Sequence, residues 1–131
     1  MKTLVVEDEF TSRILMQSLL ARYGECHIAV DGEEAVAAFR MALADAAPYD
    51  LICMDIKMPK LDGVHAVRKI RALETEDGVL STNGVKILMV TSVDDPKEVV
   101  SSFDALCDAY LVKPIEKASL IDEVRRMRLV A

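Results

Sequence analysis

Six side chains in this sequence are of types that act together on phosphate groups. Glu7 and Asp8 form an acid pair, Asp55 is a lone acid, Thr91 and Ser92 bring adjacent hydroxyls, and Lys113 precedes Pro114. They follow four short apolar runs: Leu4-Val5-Val6, Leu51-Ile52-Cys53-Met54, Ile87-Leu88-Met89-Val90 and Tyr110-Leu111-Val112. Three carboxylates brought together repel strongly unless a cation joins them. Hard oxygen ligands that leave room for water suit Mg²⁺, or Mn²⁺. An ammonium and a hydroxyl on the same rim can receive an anion, and Asp55 is then placed to act as nucleophile. Cation, anion and nucleophilic carboxylate together describe phosphoryl transfer to an aspartate. Pro114 breaks its strand and admits a cis bond that would aim Lys113 inward. Zinc is not expected, because neither His27 nor His65 follows one of these runs and no cysteine partners them. Both histidines are read as ordinary strand or surface residues.

Those six residues can meet only if the elements before them end on a common rim. With Cys26-His27-Ile28-Ala29, the apolar runs make five short strands. Helical periodicity fills the intervals. Leu15, Leu19 and Tyr23 recur at helical spacing, with Met16 and Leu20 beside them and Gly24 as a stop. Asp31 is read as the cap of a second helix, with Glu34 at the capping-box position and the pattern running to about Ala46. Val64, Val67, Ile70 and Leu73 form a third stripe, Asp95-Pro96-Lys97-Glu98 starts a fourth helix, and Leu120, Ile121, Val124 and Met127 line the last. Strands apolar on both faces belong in a parallel sheet with helices on each side. Ligands of such sheets bind beyond the carboxyl ends of the strands, where the six residues fall. The stretch from Glu74 to Gly84 is polar and reads as a mobile surface loop.

At 131 residues the chain makes one domain over residues 1–131. Apolar residues at 52% exceed what a disordered chain carries. Lys and Arg number 16 against 22 Asp and Glu, a balance of −6 that argues against nucleic-acid binding through a basic face. No apolar run approaches the roughly 20 residues that span a bilayer, and the first residues do not form a signal peptide. A cytoplasmic location is therefore expected. The three cysteines, Cys26, Cys53 and Cys107, show no metal-ligand spacing and are read as small buried hydrophobes.

The chain resembles the receiver domains of two-component response regulators over essentially its whole length. The resemblance is carried by Val5-Val6-Glu7-Asp8, by Met54-Asp55-Ile56-Lys57-Met58-Pro59-Lys60-Leu61-Asp62-Gly63, by Val90-Thr91-Ser92 and by Asp108-Ala109-Tyr110-Leu111-Val112-Lys113-Pro114. It implies a flavodoxin-like, doubly wound, five-stranded parallel sheet of order 2-1-3-4-5 with five helices. It implies Asp55 as phosphoacceptor, and Asp8, Asp55 and the backbone carbonyl of Lys57 as Mg²⁺ ligands, with Glu7 acting mostly through a water. Lys113 and Thr91 would hold the phosphoryl oxygens, and Thr91 with Tyr110 would form the switch. A histidine kinase or histidine phosphotransfer protein would be the donor, and the fourth helix, fifth strand and fifth helix the output face. Monomer, or weak phosphorylation-linked dimer, is the expected state.

Two positions depart from the family's frequent pattern. Ser92 stands where Ala is common, adding a hydroxyl able to touch the phosphoryl group or an attacking water. Leu106 stands where Gly often ends the fourth helix in a left-handed turn. The chain stops after the last helix at Val130-Ala131, so no output domain is expected and a separate partner, or a longer parent chain, would carry the response. Other phosphate chemistries fit less well. A haloacid-dehalogenase-type phosphatase needs a second Asp two residues after the first, where this chain has Lys57. A flavodoxin-like carrier needs a hydroxyl- and Gly-rich phosphate loop, where Glu7-Asp8-Glu9 would repel phosphate. A degenerate receiver that only docks or dimerises is the nearer rival.

Overall fold

A computed structural model of the chain describes residues 1–58, 60–79, 83–92 and 106–131. Five strands, β1 (Thr3–Val6), β2 (Cys26–Ala29), β3 (Leu51–Asp55), β4 (Lys86–Thr91) and β5 (Ala109–Val112), form one sheet of order β2-β1-β3-β4-β5. Every neighbouring pair is parallel. Strand side chains alternate between faces, so the three central strands, β1, β3 and β4, each feed two cores. Leu4, Val6, Ile52, Met54, Ile87 and Met89 pack on one side, and Val5, Leu51, Cys53, Leu88 and Val90 on the other.

Four α-helices lie among the described residues: α1 (Phe10–Leu20), α2 (Gly32–Ala44), α3 (Gly63–Glu76) and α4 (Lys117–Arg126). Helix α2 brings Val36 and Phe39, and α3 brings Val67 and Ile70, to the first core. Helix α1 brings Met16 and Leu20, and α4 brings Leu120 and Val124, to the second. The helix expected from Asp95 lies outside the described residues. None of the described helices is long and apolar enough to cross a membrane.

Local chemistry sets the helix ends. Asp31 caps α2 by accepting from Glu34 N at 2.8 Å, and Asp62 caps α3 by accepting from His65 N at 3.0 Å. The Glu34 carboxylate reaches back to Val30 N at 3.2 Å, one residue beyond the Asp31 N–H that a capping box would engage. Helix α2 ends at Ala44, before the expected Ala46, because Ala46 turns left-handed at φ 54. Gly78 and Arg128 close α3 and α4 in the same hand, at φ 77 and 62.

Two expectations need correction. The buried stripe of α1 is Met16 and Leu20, while Leu15 is 41% exposed. Glu74 belongs to no surface loop. It lies on α3 at 5% exposure, where its carboxylate accepts from Val85 N at 2.6 Å and pairs with Arg71 at 2.7 Å. Residues 80–82 of that stretch lie outside the described residues. Of the cysteines, Cys53 is fully buried and Cys26 and Cys107 are half-buried. His27 on β2 shares a 2.7 Å hydrogen bond with the Tyr49 hydroxyl, and His65 sits exposed on the first turn of α3.

Candidate functional site

Parallel pairing aligns the strand ends, so the residue after each strand arrives on one rim. Val6 pairs with Ala29 and with Met54, and Asp55 pairs with Val90. Backbone hydrogen bonds extend this order past the strands: Glu7 N donates to Ala29 O at 3.1 Å, Ile56 N to Val90 O at 3.1 Å, and Lys113 N to Thr91 O at 2.7 Å. Glu7, Asp8 and Asp55 each present a carboxylate oxygen, and these atoms lie within 4.8 Å of one another. Asp8 is exposed, Asp55 is buried, and Glu7 has no accessible surface at all.

Lys113 is the counter-charge. Its Nζ lies 3.1 Å from each Glu7 carboxylate oxygen and 3.7 Å from Asp55 Oδ2. The Lys113-Pro114 bond is cis. One ammonium among three carboxylates leaves the site short of positive charge. Burial first, and the Glu7 charge next, push the Asp55 carboxyl up to about 7, against the pull of Lys113. Burial lowers the Lys113 pKa, but its hydrogen bond to Glu7 and the Asp55 charge outweigh that and hold it above the ordinary Lys value.

The donor set fits a divalent cation. The Lys113 hydrogen bond goes to Glu7 Oε1, which leaves Oε2 buried without one. Lys113 Nζ stands 3.1 Å from Oε2 as well, but one ammonium shared among both Glu7 oxygens and Asp55 under-compensates this buried acceptor. Three hard carboxylates around a solvent-connected space are what Mg²⁺ takes. The space is a cavity of about 170 Å³. Asp55, Lys57, Ser92 and Lys113 line it beside the Glu7-Asp8 pair, with Glu9 and Ile56 completing the wall.

Of the residues expected to act here, Glu7, Asp8, Asp55, Lys57, Ser92 and Lys113 meet at this cavity. Thr91 and Tyr110 do not line it. Thr91 is buried and its hydroxyl donates to Ser92 O at 3.4 Å, while Tyr110 is 48% exposed. Successive residues leaving a strand point to opposite faces, so only one of two adjacent hydroxyls can face the cavity in a given conformation.

Three supports escaped sequence reasoning. Arg13 Nη1 donates to Glu7 O at 3.2 Å and to Asp8 O at 3.5 Å, clasping the acid turn from α1. Glu9 N donates to Glu7 Oε1 at 3.2 Å. Gly63 packs on Asp55 itself: a Cβ there would stand 2.3 Å from the Asp55 carbonyl oxygen. The Asp62-Gly63 pair signalled the last of these, since Asp62 caps α3 and Gly63 admits the close approach. Nothing in the spacing of Arg13 distinguished it from a solvated helix residue.

The sequence matches the family described as response regulator receiver domain over residues 3–125. It is 32% identical over 128 residues to the two-component response regulator ORR41 of Oryza sativa subsp. japonica, covering 98% of this chain and 94% of that one. It is 31% identical over 134 residues to Probable histidine kinase 2 of Oryza sativa subsp. indica, covering 95% of this chain but only 12% of that protein. The chain also spans 47% of Probable transcriptional regulator ycf27 of Cyanophora paradoxa. In structure it is similar to the receiver domain of the sensor histidine kinase PA1611 of Pseudomonas aeruginosa PAO1. That likeness has a TM-score of 0.75 at 28% identity and covers 95% of this chain and 94% of that one. The PA1611 domain was crystallised with a magnesium ion coordinated in its active-site cleft.

Proposed function

The chain belongs to the response regulator receiver domain family, and from that premise we propose that Asp55 accepts a phosphoryl group from a phosphohistidine donor. Receiver domains are signalling switches, not classical enzymes, and work with histidine kinases or phosphotransfer proteins. The observation that carries the proposal is the meeting of Glu7, Asp8 and Asp55 within 4.8 Å, with Lys113 Nζ 3.7 Å from Asp55.

In the transfer, an Asp55 carboxylate oxygen attacks phosphorus, the phosphorus–nitrogen bond breaks and the imidazole leaves with its electron pair. Asp8, Asp55 and the Lys57 carbonyl would hold Mg²⁺, with Glu7 behind them, and the ion would supply positive charge toward the phosphoryl oxygens; Mn²⁺ suits the same donors. Lys113 turns its ammonium to the incoming oxygens, and the Ser92 hydroxyl borders their space. Thr91 enters afterwards: its hydroxyl leaves Ser92 O for the phosphoryl group, and the exposed Tyr110 ring follows inward. That movement passes the signal toward β5 and α4, where a separate protein or another domain of a longer chain would read it.

The donor needs a place to rest. A groove of about 540 Å³ runs beside the acceptor cavity, shares Glu9, Ser92 and Lys113 with it, and is lined further by Leu15, Pro114 and Ile115. A helix bearing the phosphohistidine would lie there against the exposed Phe10 and Leu15. The acidic net charge fits a protein partner and not nucleic acid.

Acetyl phosphate with Mg²⁺ tests the proposal. Intact mass should show one phosphoryl group on the unaltered chain, none in EDTA and none on Asp55→Asn. Label retained by Asp55→Asn would place the acceptor elsewhere.

A further inference from the structure

The described residues between β3 and α3, 56–58 and 60–62, include the Lys57 carbonyl and are held from outside the acid cluster. At their base Gly63 N donates to Ile56 O at 2.8 Å. Farther out, their support comes from the turn between β2 and α2. Gly32 N donates to Leu61 O at 3.1 Å. The approach is so close that a Cβ on Gly32 would stand 2.1 Å from that oxygen and 2.9 Å from Leu61 Cβ. Next to it Asp31 is 4% exposed, and its Oδ2 lies 3.7 Å from Lys60 Nζ while Oδ1 caps α2. Lys60 itself is left-handed, at φ 66, a conformation an L residue keeps only when its surroundings hold it.

Resting on the reading of Asp55 and its cation given above, we propose that Gly32, seconded by Asp31, is a positioning residue: by holding Leu61 it keeps the Lys57 carbonyl presented to the cation. The reason is steric. Leu61 O is backbone and cannot rotate away, so any side chain at position 32 must displace Leu61 or the start of α2. Lys57 lies four residues from the clasp, and Ile56 is anchored to Gly63 at the base. Displacement at Leu61 is therefore passed toward Lys57, while Asp55, at the end of β3, and Glu7 and Asp8, directly after β1, stay in place. The Asp31–Lys60 pair adds less, because the Lys60 side chain is 64% exposed and its charge is screened.

The test compares cation binding with stability. Mn²⁺ is titrated into the unaltered chain, Gly32→Ala and Asp31→Ser, followed by water-proton relaxation, and each protein is melted in EDTA. Ser keeps the helix cap and removes only the charge facing Lys60. Gly32→Ala should bind Mn²⁺ roughly tenfold more weakly and Asp31→Ser about twofold more weakly. With acetyl phosphate, the concentration for half-maximal labelling should rise in Gly32→Ala, but Asp55 should still be labelled when Mg²⁺ saturates. Equal Mn²⁺ affinity in the unaltered chain and Gly32→Ala would overturn the inference and leave the phosphoacceptor reading standing. If Gly32→Ala does not fold, unchanged affinity in Asp31→Ser overturns it and a weakened one supports it. Absence of binding to the unaltered chain would overturn both.

Discussion

Both ends of the sheet bury carboxylates, and they treat them oppositely. At the amino ends of the strands, Glu74 is paired and hydrogen-bonded: Arg71 meets it at 2.7 Å and Val85 N at 2.6 Å. Arg71 goes on to Val85 O, Leu106 O and Asp108 Oδ2, and Asp108 Oδ2 accepts from Ile87 N at 2.8 Å. Every charge there has a partner, and the network joins α3 to the starts of β4 and β5. At the carboxyl ends, Glu7 and Asp55 share Lys113 with Asp8 close by, and Glu7 Oε2 is left without a hydrogen bond. A satisfied cluster is a fastening. An unsatisfied one is held in readiness for charge that arrives later, and the sheet around it must bear the repulsion meanwhile.

Substitutions at the two ends should therefore separate cleanly. Asp55→Asn should abolish labelling by acetyl phosphate altogether while the chain folds normally, as circular dichroism would show. Glu74→Ala should do the reverse. Removing one partner of a buried pair costs about 3 kcal/mol, read in urea unfolding, with Mn²⁺ affinity unchanged; a loss of affinity of tenfold or more would mean that the two ends communicate. Lys113→Ala should lower the labelling rate by about 10-fold to 100-fold, since it removes a charge that meets the phosphoryl oxygens.

Acidity sharpens the contrast further. The Asp55 carboxyl is raised from 3.8 to about 7, so between those pH values the folded, metal-free chain keeps a proton that the unfolded chain gives up. Stability must then fall as pH rises through that window, with the loss complete above about pH 7. In EDTA, Asp55→Asn should melt several degrees above the unaltered chain at pH 8 and close to it at pH 4, and Mg²⁺ should narrow the gap at pH 8. Equal melting temperatures at both pH values would remove the strain from Asp55. The smallest effect belongs to Ser92. Its side chain crowds the cavity, so Ser92→Ala should hydrolyse its phosphoryl group a few-fold faster, about 1 kcal/mol of barrier; slower loss of label would make Ser92 an aid to the attacking water instead.

The acid rim was legible in the sequence because each acid comes directly after a β-branched or apolar run, and parallel strands align their ends. The sheet order came through the resemblance, since periodicity alone ranks no strands. The face of α1 was misjudged because Ile14, Leu15, Met16, Leu19 and Leu20 leave apolar residues on more than one side of the helix, and spacing alone does not choose among them. Glu74 was hidden for a different reason. A charged residue in a polar stretch reads as solvated, and only Arg71, three residues earlier, hinted at a buried pair. Thr91 and Ser92 are adjacent in sequence, and the strand's alternation gives them different surroundings: Ser92 lines the cavity and Thr91 is buried. The Gly32–Leu61 approach joins residues far apart in sequence through backbone atoms, which carry no side-chain signature.

The Lys113–Glu7 contact spans 106 positions of the chain. Glu7 leaves the sheet at β1, Asp55 at β3 and Lys113 at β5, so no contiguous stretch of polypeptide owns the acceptor site. A growing chain on the ribosome carries Asp55 well before it carries the Lys113 ammonium. The full set of charges therefore assembles only when β1, β3 and β5 have joined the same sheet, so the rate of labelling at Asp55, if it is the acceptor proposed, would double as a report on folding.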